Sequence, residues 1–177
     1  HRLGAEEAQP GIAALHRLRA VLAEPRPKAS TIFVRSEYQP GQFTEGRLDH
    51  GMAYVCVPGR SIDCEWAEGI EMGPHDVVVT KHHADAGETL LYRDAVEQAV
   101  RAGAGRIALA GFQFTTCVAA SALSTAAMVR GRGVRVEVIE ALTGSRASSH
   151  APDASGLSRM DATRRRLENF GVALGRV

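Results

Sequence analysis

Ile107-Ala108-Leu109-Ala110-Gly111-Phe112-Gln113-Phe114-Thr115-Thr116-Cys117-Val118 is the stretch on which the fold turns. Its first four residues form a short apolar run of the buried-strand type, ended by Gly111. From Cys117 to Arg130 the chain is rich in Ala and other small residues, which predicts a helix able to pack tightly on a sheet. Gly131 and Gly133 close that helix, and Val134 to Ile139 is another strand. Strand, turn, small-residue helix and strand in so short a span make one crossover unit.

The same alternation extends upstream. Val77 to Thr80 is a strand, and Glu88 to Ala102 is a helix with Leu91, Ala95, Val96, Ala99 and Val100 at helical spacing, closed by Gly103 and Gly105. Thr31 to Val34 is a further strand. Before it, Gly11 to Ala23 reads as a helix stopped by Pro25 and Pro27. Residues 36–74 are long and irregular, with Gly41, Gly46, Gly51, Pro58, Gly59 and Gly73, a length that carries function or hides small elements. Downstream, Ser158 to Phe170 is a last helix, with Ser158 and Asp161 spaced like a capping box. The pattern predicts a single α/β domain over 1–177: a three-layer, Rossmann-like, mostly parallel sheet with helices on both faces. Right-handed crossovers bring the C-terminal ends of the strands to one edge, where such sheets bind ligands.

Composition narrows the function classes. With 21 Lys+Arg against 20 Asp+Glu the net charge is +1, which argues against a dedicated nucleic-acid binder. No window reaches the ~18 apolar residues of a membrane span, so the expectation is a cytoplasmic protein with neither membrane nor nucleic-acid partner. Cys56, Cys64 and Cys117 are too few and scattered for a disulfide scaffold. Cys56 and Cys64 with His82 and His83 lack the paired short spacing of a zinc site, and no phosphate loop or dinucleotide fingerprint occurs.

At the predicted edge two residues stand out. Lys81 is one of two lysines in a chain that otherwise uses Arg, which suggests a site needing a compact, titratable ammonium. Cys117 sits at a strand-to-helix turn, where unpaired N–H groups and the helix dipole favour a thiolate and an oxyanion. Each alone has a plainer explanation: a buried Cys often packs as a small hydrophobe, and a Lys after a strand is usually solvated. Arg35, Glu37, Tyr38 and Gln39 could bind a polar substrate or form an exposed loop. Of His82 and His83, one at most faces substrate.

Val77-Val78-Val79-Thr80-Lys81-His82-His83-Ala84-Asp85-Ala86 and the stretch from Ile107 through Cys117-Val118, continuing by Ser121, Ala126 and Gly133 into Val134 to Ala141, carry a resemblance over about 31–142. There the chain resembles the isochorismatase-like cysteine hydrolases, which include nicotinamidases, N-carbamoylsarcosine amidohydrolase, biuret hydrolases and ureidoacrylate amidohydrolases. The resemblance implies an Asp–Lys–Cys triad with Cys117 as nucleophile and Lys81 as the lysine. It also implies a cis peptide at Phe112–Gln113 and an oxyanion hole from the backbone N–H groups of Gln113 and Cys117. The pocket would draw on Glu37, Tyr38, Gln39, His82 and Phe112. The implied function is a metal-independent cysteine amidohydrolase that cleaves a C–N bond in a small amide, carbamoyl or ureido compound, needs no cofactor, and works as a homodimer or homotetramer. Vinyl-ether hydrolysis of the isochorismatase type, or a non-catalytic binding subunit, are the alternatives.

Three departures stand against the family pattern. Its Asp ends a first strand, in an Asp-x-Gln-type motif that this chain lacks before Gly11; the expectation is that this strand precedes His1. If it does not, the best local carboxylates are Glu37 and Glu140. The family's usual aromatic is Gly87 here and its usual Thr is Phe114, changes expected to reshape the pocket. Finally, the Asp-x-His metal pair of nicotinamidases reads Ser36-Glu37-Tyr38.

Overall fold

The computed structural model describes residues 4–24, 30–43, 53–60 and 64–175. Pro25, Pro27, Gly46 and Gly51 lie outside them. The chain runs α1 (Ala5–Ala23), β1 (Ile32–Ser36), β2 (Val77–Lys81), α2 (Leu90–Arg101), β3 (Arg106–Phe112), α3 (Ala119–Met128), β4 (Arg135–Gly144), α4 (Arg159–Asn169) and β5 (Ala173–Gly175). All pairings are parallel. Helices flank the strands: α1 lies against β3 and β4, α2 against β2, α3 against β4, and α4 against β5. Among the described residues no helix is long and apolar enough to cross a membrane.

The parallel α/β architecture with flanking helices is as expected. The strands form two sheets, β1-β2 and β3-β4-β5, with no ladder between β1 and β3. A sheet grows only where an edge strand meets another row of N–H and C=O groups, and among the described residues none bridges these two edges. A single apolar core nevertheless joins both halves. Val79 of β2, Val96 of α2, Ala122 of α3, Val138 of β4 and Leu167 of α4 all belong to it.

Element ends also differ from expectation. α1 begins before Gly11 and contains Pro10; Glu6 and Glu7 in its first turn complement the positive end of the helix dipole. β4 continues past Ile139 through Glu140, whose carboxylate pairs with Arg164 Nε at 2.7 Å. Beyond it Thr143 and Gly144 pair with Gly111 and Phe112, after a register shift in which β4 carries the extra residues. β3 likewise runs through Gly111, whose φ of +125° only glycine adopts easily. β5 has three residues, too few to leave a periodic signal. The capping box holds: Ser158 Oγ accepts from Asp161 N–H at 3.0 Å and donates to Asp161 Oδ2 at 2.6 Å.

Residues 37–74 contain no α-helix or strand among the described residues. Trp66 anchors this connection by packing edge-to-face on Phe33 of β1, ring centroids 5.9 Å apart.

Candidate active site

The parallel register of β1 and β2 pairs Ser36 with Lys81, so both strands end side by side. Lys81 is the last residue of β2 rather than the first beyond it. Its side chain is 4% exposed, and its ammonium has three partners: Tyr38 Oη at 2.9 Å, the His83 carbonyl at 2.7 Å and Cys117 Sγ at 3.5 Å. Three tetrahedral donors thus meet three acceptors. Among the described residues no carboxylate forms an ion pair with this buried cation, and the Cys117 sulfur is one of its three neighbours.

Cys117 sits at the strand-to-helix turn, as expected, two residues before α3. It lies in a π-helical turn, Phe114–Val118, that precedes α3. The Thr116 and Val118 N–H groups both bond to the Gln113 carbonyl, at 3.2 and 3.1 Å. The peptide bond Phe112–Gln113, at the end of β3, is cis. Phe114 is fully buried in the core and fastens the turn that carries the sulfur. Phe114 also borders a cavity lined by Pro10, Ala13 and Glu140.

Tyr38, expected to bind substrate, lies inside the Lys81–Cys117 pair. It is 6% exposed, with its hydroxyl 3.8 Å from Cys117 Sγ and 3.2 Å from Ser36 Oγ. Its N–H bonds to the Cys56 carbonyl at 2.8 Å, and its ring packs edge-to-face on Phe43 at 4.6 Å. Burial pushes the phenol above its ordinary pKa, opposed by the hydrogen bond from the Lys81 ammonium. Strand alternation carries the missed signal: Ser36 neighbours Lys81, and Tyr38 follows Ser36 by two.

The remaining candidates sit farther out. Glu37 pairs with Arg35 at 2.9 Å, and Glu140 with Arg164, so neither carboxylate reaches Lys81. Gln39 is exposed, its N–H on Gln42 Oε1. His82 is exposed with Nδ1 2.8 Å from the Glu37 carbonyl, and the His83 ring turns to Glu88, so the backbone of His83 matters more than its imidazole. Phe112 is 52% exposed and lines an apolar cavity of about 320 Å³ together with α1 residues Gly11, Ile12 and Leu15. At Gly87 a Cβ would lie 2.5 Å from Ser124 Cβ, so the contact between this turn and α3 leaves no room for a side chain.

Metal donors do not converge. Among the described residues no three His, Cys, Asp or Glu side chains could hold an ion. In the place of an Asp-x-His pair, the Ser36 and Tyr38 hydroxyls are engaged with each other, and Tyr38 also accepts from Lys81. These residues do not fit a resident metal.

No family model matches the chain, and no curated protein does. Solved structures do. Pyrazinamidase of Pyrococcus horikoshii, in complex with zinc, superposes with a TM-score of 0.69 at 14% identity, over 94% of this chain and 87% of that one. PnC1 from L. infantum, in complex with nicotinate, gives 0.70 at 19% identity over 98% and 84%. N-carbamoylsarcosine amidase from Thermoplasma acidophilum gives 0.62 at 17% identity over 99% and 87%. At these identities the likeness is one of architecture: the chain has the α/β fold of the pyrazinamidases, N-carbamoylsarcosine amidase and the isochorismatase-like hydrolases.

Proposed function

We propose that this chain is a cysteine hydrolase of the isochorismatase-like kind, cleaving the C–N bond of a small amide, carbamoyl or ureido compound through a thioester on Cys117. The observation that carries the reading is the buried Lys81 ammonium 3.5 Å from Cys117 Sγ. An ammonium at that distance favours the thiolate, the nucleophilic form of cysteine. The likeness in fold to amidases supports the reading, at the level of reaction class.

In the proposed reaction the thiolate attacks the carbonyl carbon and the C=O electron pair moves onto oxygen. The backbone N–H groups of Gln113 and Cys117 hold that oxyanion. Collapse breaks the C–N bond once the leaving nitrogen gains a proton, releasing amine or ammonia. Water then adds to the thioester, the C–S bond breaks, and the acid departs. No step is routed through a metal, for which the donors around Tyr38 are unsuited.

The test combines iodoacetamide labelling, read by peptide mass spectrometry, with turnover on a panel of small amides and ureides. Cys117 is expected to label first. Cys117→Ala abolishes both the fast label and turnover, while Cys56→Ala and Cys64→Ala keep them. Equal labelling of the three thiols, or parental turnover by Cys117→Ala, overturns the proposal.

A further inference from the structure

We propose that a second cavity, walled by α1, the C-terminal half of β4, the turn from Ser145 to His150 and α4, binds a small carboxylate with an apolar body, and that the Arg17 guanidinium grips the carboxylate. Neither Lys81 nor Cys117 lines this cavity.

The helix repeat builds one wall. Pro10, Ala13 and Arg17 fall on one stripe of α1, and Gly11 and Ala14 on the next stripe press against Gly144 of β4. That close approach lays the Arg17 side chain along β4, where its Nε donates to the Ala141 carbonyl at 2.5 Å. Among the described residues no carboxylate pairs with Arg17, because the acids around it are already engaged. Glu140 takes Arg164 Nε at 2.7 Å, and Asp161 takes Arg164 Nη1 at 2.8 Å and the Ser158 hydroxyl. Glu7, on Arg17's own helix, accepts from the Ser148 N–H at 3.0 Å.

The donor set selects the ligand. With Nε committed, the two terminal nitrogens of Arg17 are left as paired donors, the fork that a planar carboxylate meets with two bonds. Ser145, 2% exposed, adds a hydroxyl whose Oγ lies 2.9 Å from His150 Nε2. When the ring donates there, the hydroxyl proton is left for a ligand oxygen. Two guanidiniums line the cavity against the single carboxylate of Glu140, so with His150 neutral a monoanion balances the charge. Ala13, Phe114 and Met160 offer a ligand no polar partner and suit an apolar body. The volume of about 200 Å³ is that of roughly seven waters, the scale of a small organic acid. Inorganic phosphate would meet the charge and leave the apolar walls unused.

The test is binding of p-fluorobenzoate to the full chain, followed by fluorine NMR titration before and after alkylation of Cys117 with iodoacetamide. The parent is expected to bind, with the same affinity in both states. Arg17→Met, a change at an exposed helix position, is expected to weaken binding at least about tenfold while melting like the parent. Arg93→Met, which removes the same charge from the exposed face of α2, should bind as the parent does. Phosphate at matched ionic strength should not displace the probe. No binding by the parent, parental affinity in Arg17→Met, an equal loss in Arg93→Met, displacement by phosphate, or loss of binding on alkylation of Cys117 each overturns the assignment and leaves the hydrolase reading standing.

Discussion

Replacing Lys81 by Met removes the ammonium while keeping an unbranched chain of similar length. Two unit charges 3.5 Å apart attract by about 5 kcal/mol at an effective dielectric near 20. Losing it removes the favourable contact that a charged, nucleophilic sulfur has in this site. A fall in Cys117 alkylation of at least about tenfold at pH 7 is therefore expected. Folding is expected to survive. The variant leaves the His83 carbonyl without its bond from Lys81, a loss of about 1–3 kcal/mol, but it also removes the desolvation penalty of a buried cation. The assay is pseudo-first-order iodoacetamide kinetics at Cys117, with a thermal melt beside it. A folded Lys81→Met that alkylates as fast as the parent would show that the ammonium does not hold the sulfur's charge, and the mechanism would lose its nucleophile.

Two further expectations concern the scaffold. A Cβ at Gly144 would lie 2.6 Å from Gly11 Cα, so Gly144→Ala should push α1 off the end of β4 and destabilise by about 1–3 kcal/mol, whereas Gly4→Ala, with nothing within 4 Å, should melt like the parent. Burial pushes the Tyr92 phenol above its ordinary value of 10.0, so the folded state holds that proton more tightly than the unfolded chain. Its stabilising contribution is full below about pH 10 and falls as pH rises through the folded value; urea midpoints taken from about pH 9 to 11 should decline less steeply in Tyr92→Phe.

What the sequence discloses follows the range of the interactions involved. The stretch around Ile107 is decided locally: an apolar run, a glycine, small residues at helical density. Its strand and helix are present as expected, and topology alone placed Lys81 and Cys117 at one edge. Properties fixed by distant partners are hidden. Glu140 lies within β4 and pairs with Arg164, 24 residues along the chain, a partner no local window discloses. The division into two sheets depends on which edges meet, which no window of sequence expresses. The π-helical turn that places Cys117 has β-branched Thr115 and Thr116 and no glycine to mark it. At Gly87 the neighbouring Ser124 leaves no room for a side chain, and Phe114 packs into the core, contacts that resemblance alone does not express. Tyr38 lay between, its nearness to Lys81 implicit in strand alternation but its hydroxyl contacts dependent on the Cys56 carbonyl and Phe43.

The rarity of lysine in this chain now has a physical reason at one position. An arginine in place of Lys81 would present a planar fork of five donors to three acceptors arranged around a point: a phenol oxygen, a carbonyl and a sulfur. Two donors would remain unsatisfied in a site that is 4% exposed. A guanidinium would still bring a positive charge beside the Cys117 sulfur, so Lys81→Arg should retain part of the Cys117 alkylation rate that Lys81→Met loses, while melting at a lower temperature than the parent because its surplus donors are buried without partners.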